Sequence, residues 1–294
     1  MATNSLNGVF MTRIAQLTLD ALLTSKLPLM SMWTDFSAEV VPYGNAVTTR
    51  YPNAVSAVDF SSTKTLISAN TVARTITLDK YIGIPISFTD TEVSFSDVKL
   101  SEMFVQPALV ALFENVMATS QALITPANYS SNTVLAAANF SAANVASICS
   151  VQNANKVPQG RRTIVAPPSY ALTLKKDSAV QAAYAYGSAQ AIQTGRLPDV
   201  YGYQIQEWNG TIPTTNNLAA YAFAPQALLV AARPPALPRN WYGEVSNVTD
   251  PDTGLTVQIR DYYNGVSQVT EWCFIYGAAV GNPGNLTRIT NVAE

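Results

Sequence analysis

Histidine is missing from all 294 positions of the chain. That absence excludes Ser-His-Asp and Cys-His nucleophiles, imidazole acid–base catalysis and His-ligated metals together. Charge is the next scarcity: Asp, Glu, Lys and Arg make up 12% of the residues, against roughly 25% in an ordinary soluble domain. A lone monomer keeps a charged coat for solubility, so a surface this poor in charge predicts that neighbouring subunits cover much of it. The 17 basic residues are scattered and the formal net charge is −2, which leaves no electrostatic footprint for reading nucleic acid. The two cysteines, Cys149 and Cys273, lack metal-type spacing and form no disulfide framework, as suits a reducing compartment. No apolar run approaches the roughly 20 residues that span a bilayer, and the opening MATNSLNGVF lacks the basic start of a secretion signal. The expectation is a soluble cytoplasmic product with no membrane partner.

The glycine patterns of phosphate loops, dinucleotide folds and nucleophile elbows are absent as well. What remains is thin. DPDTG, Asp250 to Gly254, opens like a calcium loop without its later ligands and reads as a plain turn. Asp90 and Glu92 invite a carboxylate-pair reading, but strand alternation and solvation account for them. The doublets Arg161-Arg162 and Lys175-Lys176 read as a solvated face or a subunit contact. Trp33, Trp208, Trp241 and Trp272 are too dispersed for a sugar platform and read as core or interface anchors. No catalytic, metal or cofactor residue emerges.

What is present is a succession of parts. Ile14 and Leu17 share one face of a helix that Pro28 closes, and Trp33, Phe36 and Pro42 anchor an irregular stretch after it, the pattern of an arm. Val47, Thr49 and Tyr51 alternate in a strand ended by Pro52, and residues 53–72 are small and polar like a loop tip. ARTITLDKYIGIPISFTD, Ala73 to Asp90, then reads as one unbroken strand. Ile76, Leu78, Ile82, Ile84, Ile86 and Phe88 occupy one face, with Lys80 the single interruption. Such a strand is about 50 Å long. Paired with residues 46–52 it makes a hairpin whose outer half projects, and a two-stranded ribbon, marginal by itself, must lie on a partner.

A helical pattern follows, with Ser96 as N-cap and Val98, Met103, Val110, Phe113, Met117, Leu123 and Ile124 recurring as far as Pro126. The rod is about 40 Å long, and Pro107 should kink or split it. Beyond it the sequence predicts a helix around 142–153, a strand at 163–166 stopped by Pro167-Pro168, a helix at 169–175 and a strand at 203–208. AAYAFAPQALLVAARP reads as a buried strand and a short helix. Leu255, Val257 and Ile259 alternate into a hairpin turned at Asn264-Gly265.

The order of these parts resembles the major capsid proteins of tailed phages, the Hong Kong phage-type fold. The residues that carry the resemblance are ITLDKYIGIPISFTDTEV leading into the helix, IVAPPSYALTLKKDSA, GRLPDVYGYQI and AYAFAPQALLVAAR, which together cover most of residues 40–280 in the family's order. The resemblance implies an α+β phage major capsid fold. Residues 1–45 would be an N-terminal arm, and 46–89 an extended β-hairpin, the E-loop. Residues 90–126 with 241–294 would form a peripheral domain with a long spine helix, and 127–240 an axial domain.

It further implies a structural protein, not an enzyme, without cofactor, that self-assembles into pentamers and hexamers of an icosahedral shell around double-stranded DNA. Scaffolding, portal and decoration proteins would be its partners, the virion its location, and the host bacterial cytoplasm its place of assembly. Inter-subunit contacts are expected from Phe10, Ile14, Leu17 and Trp33 of the arm and from Lys64, Leu66, Ile67 and Arg74 of the hairpin. The chain departs from some relatives in having no charged coiled-coil extension ahead of the arm and no counterpart of their cross-linking Lys and Asn. Two other readings stand beside this one: an encapsulin-like compartment shell, and a His-free hydrolase, which would need a focused acid–base pair. A β-rich adhesin is disfavoured by the long helix.

Overall fold

The computed structural model describes residues 13–18, 31–32, 44–52, 70–95, 103–181, 197, 199–213, 215–250 and 253–292. Among these, two five-stranded sheets and a two-stranded ribbon are built from twelve strands.

The first sheet follows from the alternation in its strands. β3 (Lys80–Thr89), β11 (Ser267–Val280), β10 (Thr256–Tyr263) and β9 (Glu244–Thr249) lie side by side and antiparallel, and β8 (Leu228–Arg233) pairs with the far end of β11. Trp272 and Phe274 of β11, Val257 and Ile259 of β10 and Ile82, Ile84 and Ile86 of β3 all face one core. The β10–β11 hairpin closes at the expected place. Gly265 adopts φ 93°, and the Asn264 Oδ1 accepts the Val266 and Ser267 N–H groups; glycine is the residue that takes such a backbone without strain.

α3 (Val105–Ala122) packs on this sheet through Val105, Ala108, Leu109, Leu112, Phe113, Val116 and Met117, a stripe at three- and four-residue spacing. The expected rod is corrected here. The helix of 18 residues is about 27 Å long at 1.5 Å per residue, and Pro107 is its third residue. There a missing N–H costs nothing, because the first turn has no intrahelical acceptor, so of the two expected outcomes, kink or split, the chain takes the split, turning at Phe104 before the helix starts. Met103 and Val110, expected inside, are 58% and 37% exposed, whereas Phe113, Met117 and Ile124 are buried as expected and Leu109 and Leu112 complete the stripe. Ser96 and Val98 lie outside the described residues. A different cap is present: Glu92 Oε2 accepts the Thr89 N–H at 2.9 Å, while Thr89 Oγ1 faces the Glu92 N–H, a capping box that opens the short α2 (Asp90–Phe95).

The long strand is corrected too. β2 (Thr71–Thr77) pairs with β1 (Ala46–Pro52) and not with β11, and the chain breaks at Leu78-Asp79 before β3 begins. Gly277 of β11 stands against the Thr77 carbonyl, where any Cβ would collide with it. The ribbon's inner side is anchored on its own subunit: Ile76 and Leu78 are buried against Leu229 and Ala231 of β8, with Val47, Ile275 and Ala279 around them. The partner the ribbon needs is therefore, at its root, this chain itself. The break also explains Lys80, which starts a new strand and is exposed.

In the second sheet the order is β4 (Asn132–Val134), β12 (Leu286–Thr290), β7 (Leu218–Phe223), β5 (Arg162–Ala166) and β6 (Tyr203–Glu207). Every residue of β5 and β12 is buried, as expected of strands covered on both faces. α4 (Ala142–Ala154) and α5 (Pro168–Lys175) supply Val145, Ile148, Tyr170 and Leu174 to one face, while Val165, Tyr221 and Phe223 on the other join the main core. AAYAFAPQALLVAARP is not a strand and a helix but two strands, β7 and β8, in different sheets, joined by a single 3₁₀ turn at Pro225–Ala227. Sheet membership crosses residue 240 in both directions, with β8 in the first sheet and β12 in the second.

Candidate assembly surfaces

The residues expected to meet neighbouring subunits divide into three groups. Phe10, Trp33, Lys64, Leu66 and Ile67 lie outside the described residues. Ile14 is wholly buried in the core of its own chain, so it has no surface to offer a neighbour, and that expectation is corrected. Residues 13–18 are helical and place Ile14 inside with Leu17 half-buried beside it; Trp272 Nε1–H donates to Thr18 Oγ1 at 3.3 Å. Ser31 and Met32 are seated as well. Ser31 Oγ accepts from Thr163 Oγ1 at 2.9 Å and from Gln206 Nε2 at 3.2 Å. At both points the N-terminal stretch rests on its own body.

Arg74 forms the third group. It sits on the ribbon's half-buried side, opposite Thr49 in register, and its Nε is buried without a hydrogen bond. Its charge acts on the buried Tyr129 hydroxyl, whose pKa burial pushes far up and the Arg74 guanidinium pulls partly back.

Among the described residues no group of three His, Cys, Asp or Glu could hold a metal. Glu92 is held below the usual carboxylate range by the Thr89 backbone and side-chain hydrogen bonds, a capping role. Asp250 accepts from Thr253 Oγ1, and its carbonyl accepts the Gly254 N–H at 2.8 Å, so the described ends of the DPDTG stretch are bonded to each other. Of the Arg161-Arg162 doublet, Arg161 is exposed as expected but Arg162 is not. Arg162 is buried and donates to Pro158 O at 2.9 Å and Asn153 Oδ1 at 2.8 Å, tying the end of α4 to β5. Beside it, burial pushes the Tyr203 hydroxyl up to about 12. Lys175 pairs with Glu207 at 2.8 Å.

Two exposed surfaces were not anticipated. On the outer face of the first sheet, Arg260 Nη1 donates to Tyr81 OH at 3.2 Å, and its guanidinium lies 5.4 Å over the Trp241 ring, which meets Tyr262 edge-on at 4.9 Å. Tyr242 beside them is 86% exposed and Tyr81 56%. Aromatic residues around one arginine make the composition typical of interface centres. The second surface is the outer flank of α3, where Gln106, Pro107, Val110, Ala111, Glu114, Ala118 and Ala122 are exposed with one charge among them. Both were legible in principle: the tyrosines fall on the face opposite the aliphatic alternation, and the α3 flank is the complement of its buried stripe. No helix among the described residues is long and apolar enough to cross a membrane.

No family model matches the chain, and no curated protein matches it. Solved structures do. It is similar to a chain of Mycobacterium phage Che8, with a TM-score of 0.59 at 16% identity over 90% of each chain. The capsid structure of the cyanophage P-SCSP1u gives a TM-score of 0.58 at 11% identity, covering 86% of this chain and 85% of that one. A virus-like particle from Pyrococcus furiosus gives 0.54 at 12% identity, covering 96% of this chain and 99% of the other.

Proposed function

The chain has the tailed-phage major capsid fold, of class α+β, and from that premise we propose that it is a major capsid protein, a structural subunit of a phage head. It self-assembles into pentamers and hexamers of an icosahedral shell that encloses double-stranded DNA. The observation that carries this reading is the extent of the likeness, which runs through 90% of both chains and not through one shared sheet.

The parts take corresponding roles. The first sheet with α3 is the peripheral domain, in which β3 is the root of the E-loop of residues 46–89; the second sheet with α4 and α5 is the axial domain, and residues 1–45 are the arm. A shell subunit makes heterologous contacts that close into rings of five and of six. Many moderate contacts acting together hold such a shell, which favours broad neutral surfaces over a focused site. The 12% charge content, the flank of α3 and the tyrosines around Arg260 suit surfaces that neighbours cover. Phe10, Leu17, Trp33, Lys64, Leu66, Ile67 and Arg74 supply further inter-subunit contacts. Scaffolding, portal and decoration proteins complete the particle, assembled in the host cytoplasm and retained in the virion.

Electron microscopy of the purified chain tests the reading: closed shells or rings of five and six are expected, and a monomer at every concentration would sink it. A compartment shell is the second reading, favoured by the match that spans 99% of the Pyrococcus virus-like particle chain. Nuclease-protected DNA inside the particles supports the phage head, whereas an enclosed protein without DNA supports the compartment.

A further inference from the structure

Three segments carry the chain between the two sheets: 123–131 from α3 to β4, 224–227 from β7 to β8, and 281–285 from β11 to β12. Segments that merely link two bodies would be exposed and independently bonded. These are stitched together. The Ala227 carbonyl accepts the Gly281 N–H at 2.9 Å and the Tyr129 hydroxyl at 2.6 Å, so one oxygen joins all three. Around it, Asn282 N–H donates to Gln226 O at 2.8 Å and Ala224 N–H to Asn285 O at 3.0 Å. Tyr129 is held from its other end, where its carbonyl accepts Arg288 Nε at 2.8 Å. The packing leaves no slack: Tyr129, Ala227 and Leu228 are wholly buried, and a Cβ on Gly281 would collide with the Gln226 carbonyl.

We propose that Tyr129 is a positioning residue that pins the three crossings at the Ala227 carbonyl, so that the two sheets move as one rigid body. The differences in shape that a subunit needs between ring positions are then taken up outside the two sheets. A buried hydroxyl whose partner is a backbone carbonyl gives this pin its strength, since water cannot replace either group. Burial pushes the Tyr129 hydroxyl up from its ordinary value, which favours the protonated form that can donate.

The test is amide hydrogen exchange on the full chain. In the unmodified protein the Gly281 and Asn282 amides should be as protected as those of Trp272 and Phe274 in β11; exchange as fast as at the exposed Gly265–Val266 turn would overturn the proposal. Tyr129→Phe keeps the ring and removes only the donor. It should speed exchange at 281–282 by about fivefold, the effect of one net hydrogen bond, with α3 and β10 unchanged. No change at 281–282, or equal acceleration throughout, would refute the pin. A second measurement rests on the shell reading: in particles, all copies should share one inter-sheet angle, and copies that differ in it would count against the lock. Absence of particles would sink the shell reading while leaving the exchange result to decide the pin.

Discussion

β2 and β3 come from one alternating stretch of sequence, yet they end in different company. β3 lies in a five-stranded sheet, with Ile82, Ile84 and Ile86 on the main core, while β2 pairs only with β1 in a ribbon whose outer side, Thr48, Thr75 and Thr77 among it, faces away from the body. The inner side of β2 is nonetheless closed off, because Ile76 and Leu78 are buried against β8. Alternation tells which residues share a face; it does not tell what that face will meet. The ribbon is thus two things, a root that belongs to the core and an outer side that does not.

The sharpest way to probe this contrast is from beneath β3. Trp272→Ala removes the largest fully buried side chain, between α1 (13–18) and the first sheet, and should cost about 3–5 kcal/mol, read as a lower urea midpoint. Ile76→Ala tests the root directly. It should cost about 2–4 kcal/mol, as for any wholly buried isoleucine; a loss near zero would mean that the ribbon is not docked in solution.

A smaller effect is expected at the second sheet, where Asp177 accepts the Ala142 N–H at 2.6 Å and the Ala179 N–H at 2.9 Å. These bonds hold its carboxyl below the usual range. A depressed folded pKa means that the stabilisation is present above the unfolded value of about 3.9 and is lost as pH falls through the lower folded value. Asp177→Asn should remove that acid-dependent part of stability, seen by comparing unfolding midpoints at neutral and acid pH. Least of all should follow from Thr48→Ala or Thr75→Ala on the ribbon's outer side, where the two hydroxyls meet at 3.2 Å; a change within about 0.5 kcal/mol is expected in the unassembled chain. A larger loss that appears only in assembled particles would mark that side as a subunit contact.

The cap of α4 shows why local signals carried only part of the answer. Ser141 stands at the N-cap, where sequence rules place a capping hydroxyl, but its side chain makes no cap bond and Asp177, 35 positions away in sequence from Ala142, makes it instead. The Thr89-Glu92 box was the opposite case, a local signal spelled out in T-D-T-E that Ser96 overshadowed. Pro107 admits either a kink or a split from sequence alone, and the structure takes the split, with the chain turning at Phe104 and a helix starting at Val105.

By itself the sequence determined the cast: no histidine chemistry, little charge, a β-hairpin turned at Gly265, helices around 142–153 and 169–175, each within one residue of its observed bounds, and the aliphatic alternation that makes β3 and β10 two-faced. Those features rest on residue types and spacings of a few positions, which sequence displays directly. Tertiary structure alone decided where the long strand breaks, which sheet β8 and β12 join, that Ile14 is buried at home, and that three distant crossings share the Ala227 carbonyl. Each of these depends on a partner tens to more than two hundred residues away, and hydrogen bonds and burial at that separation leave no periodicity in the chain that makes them.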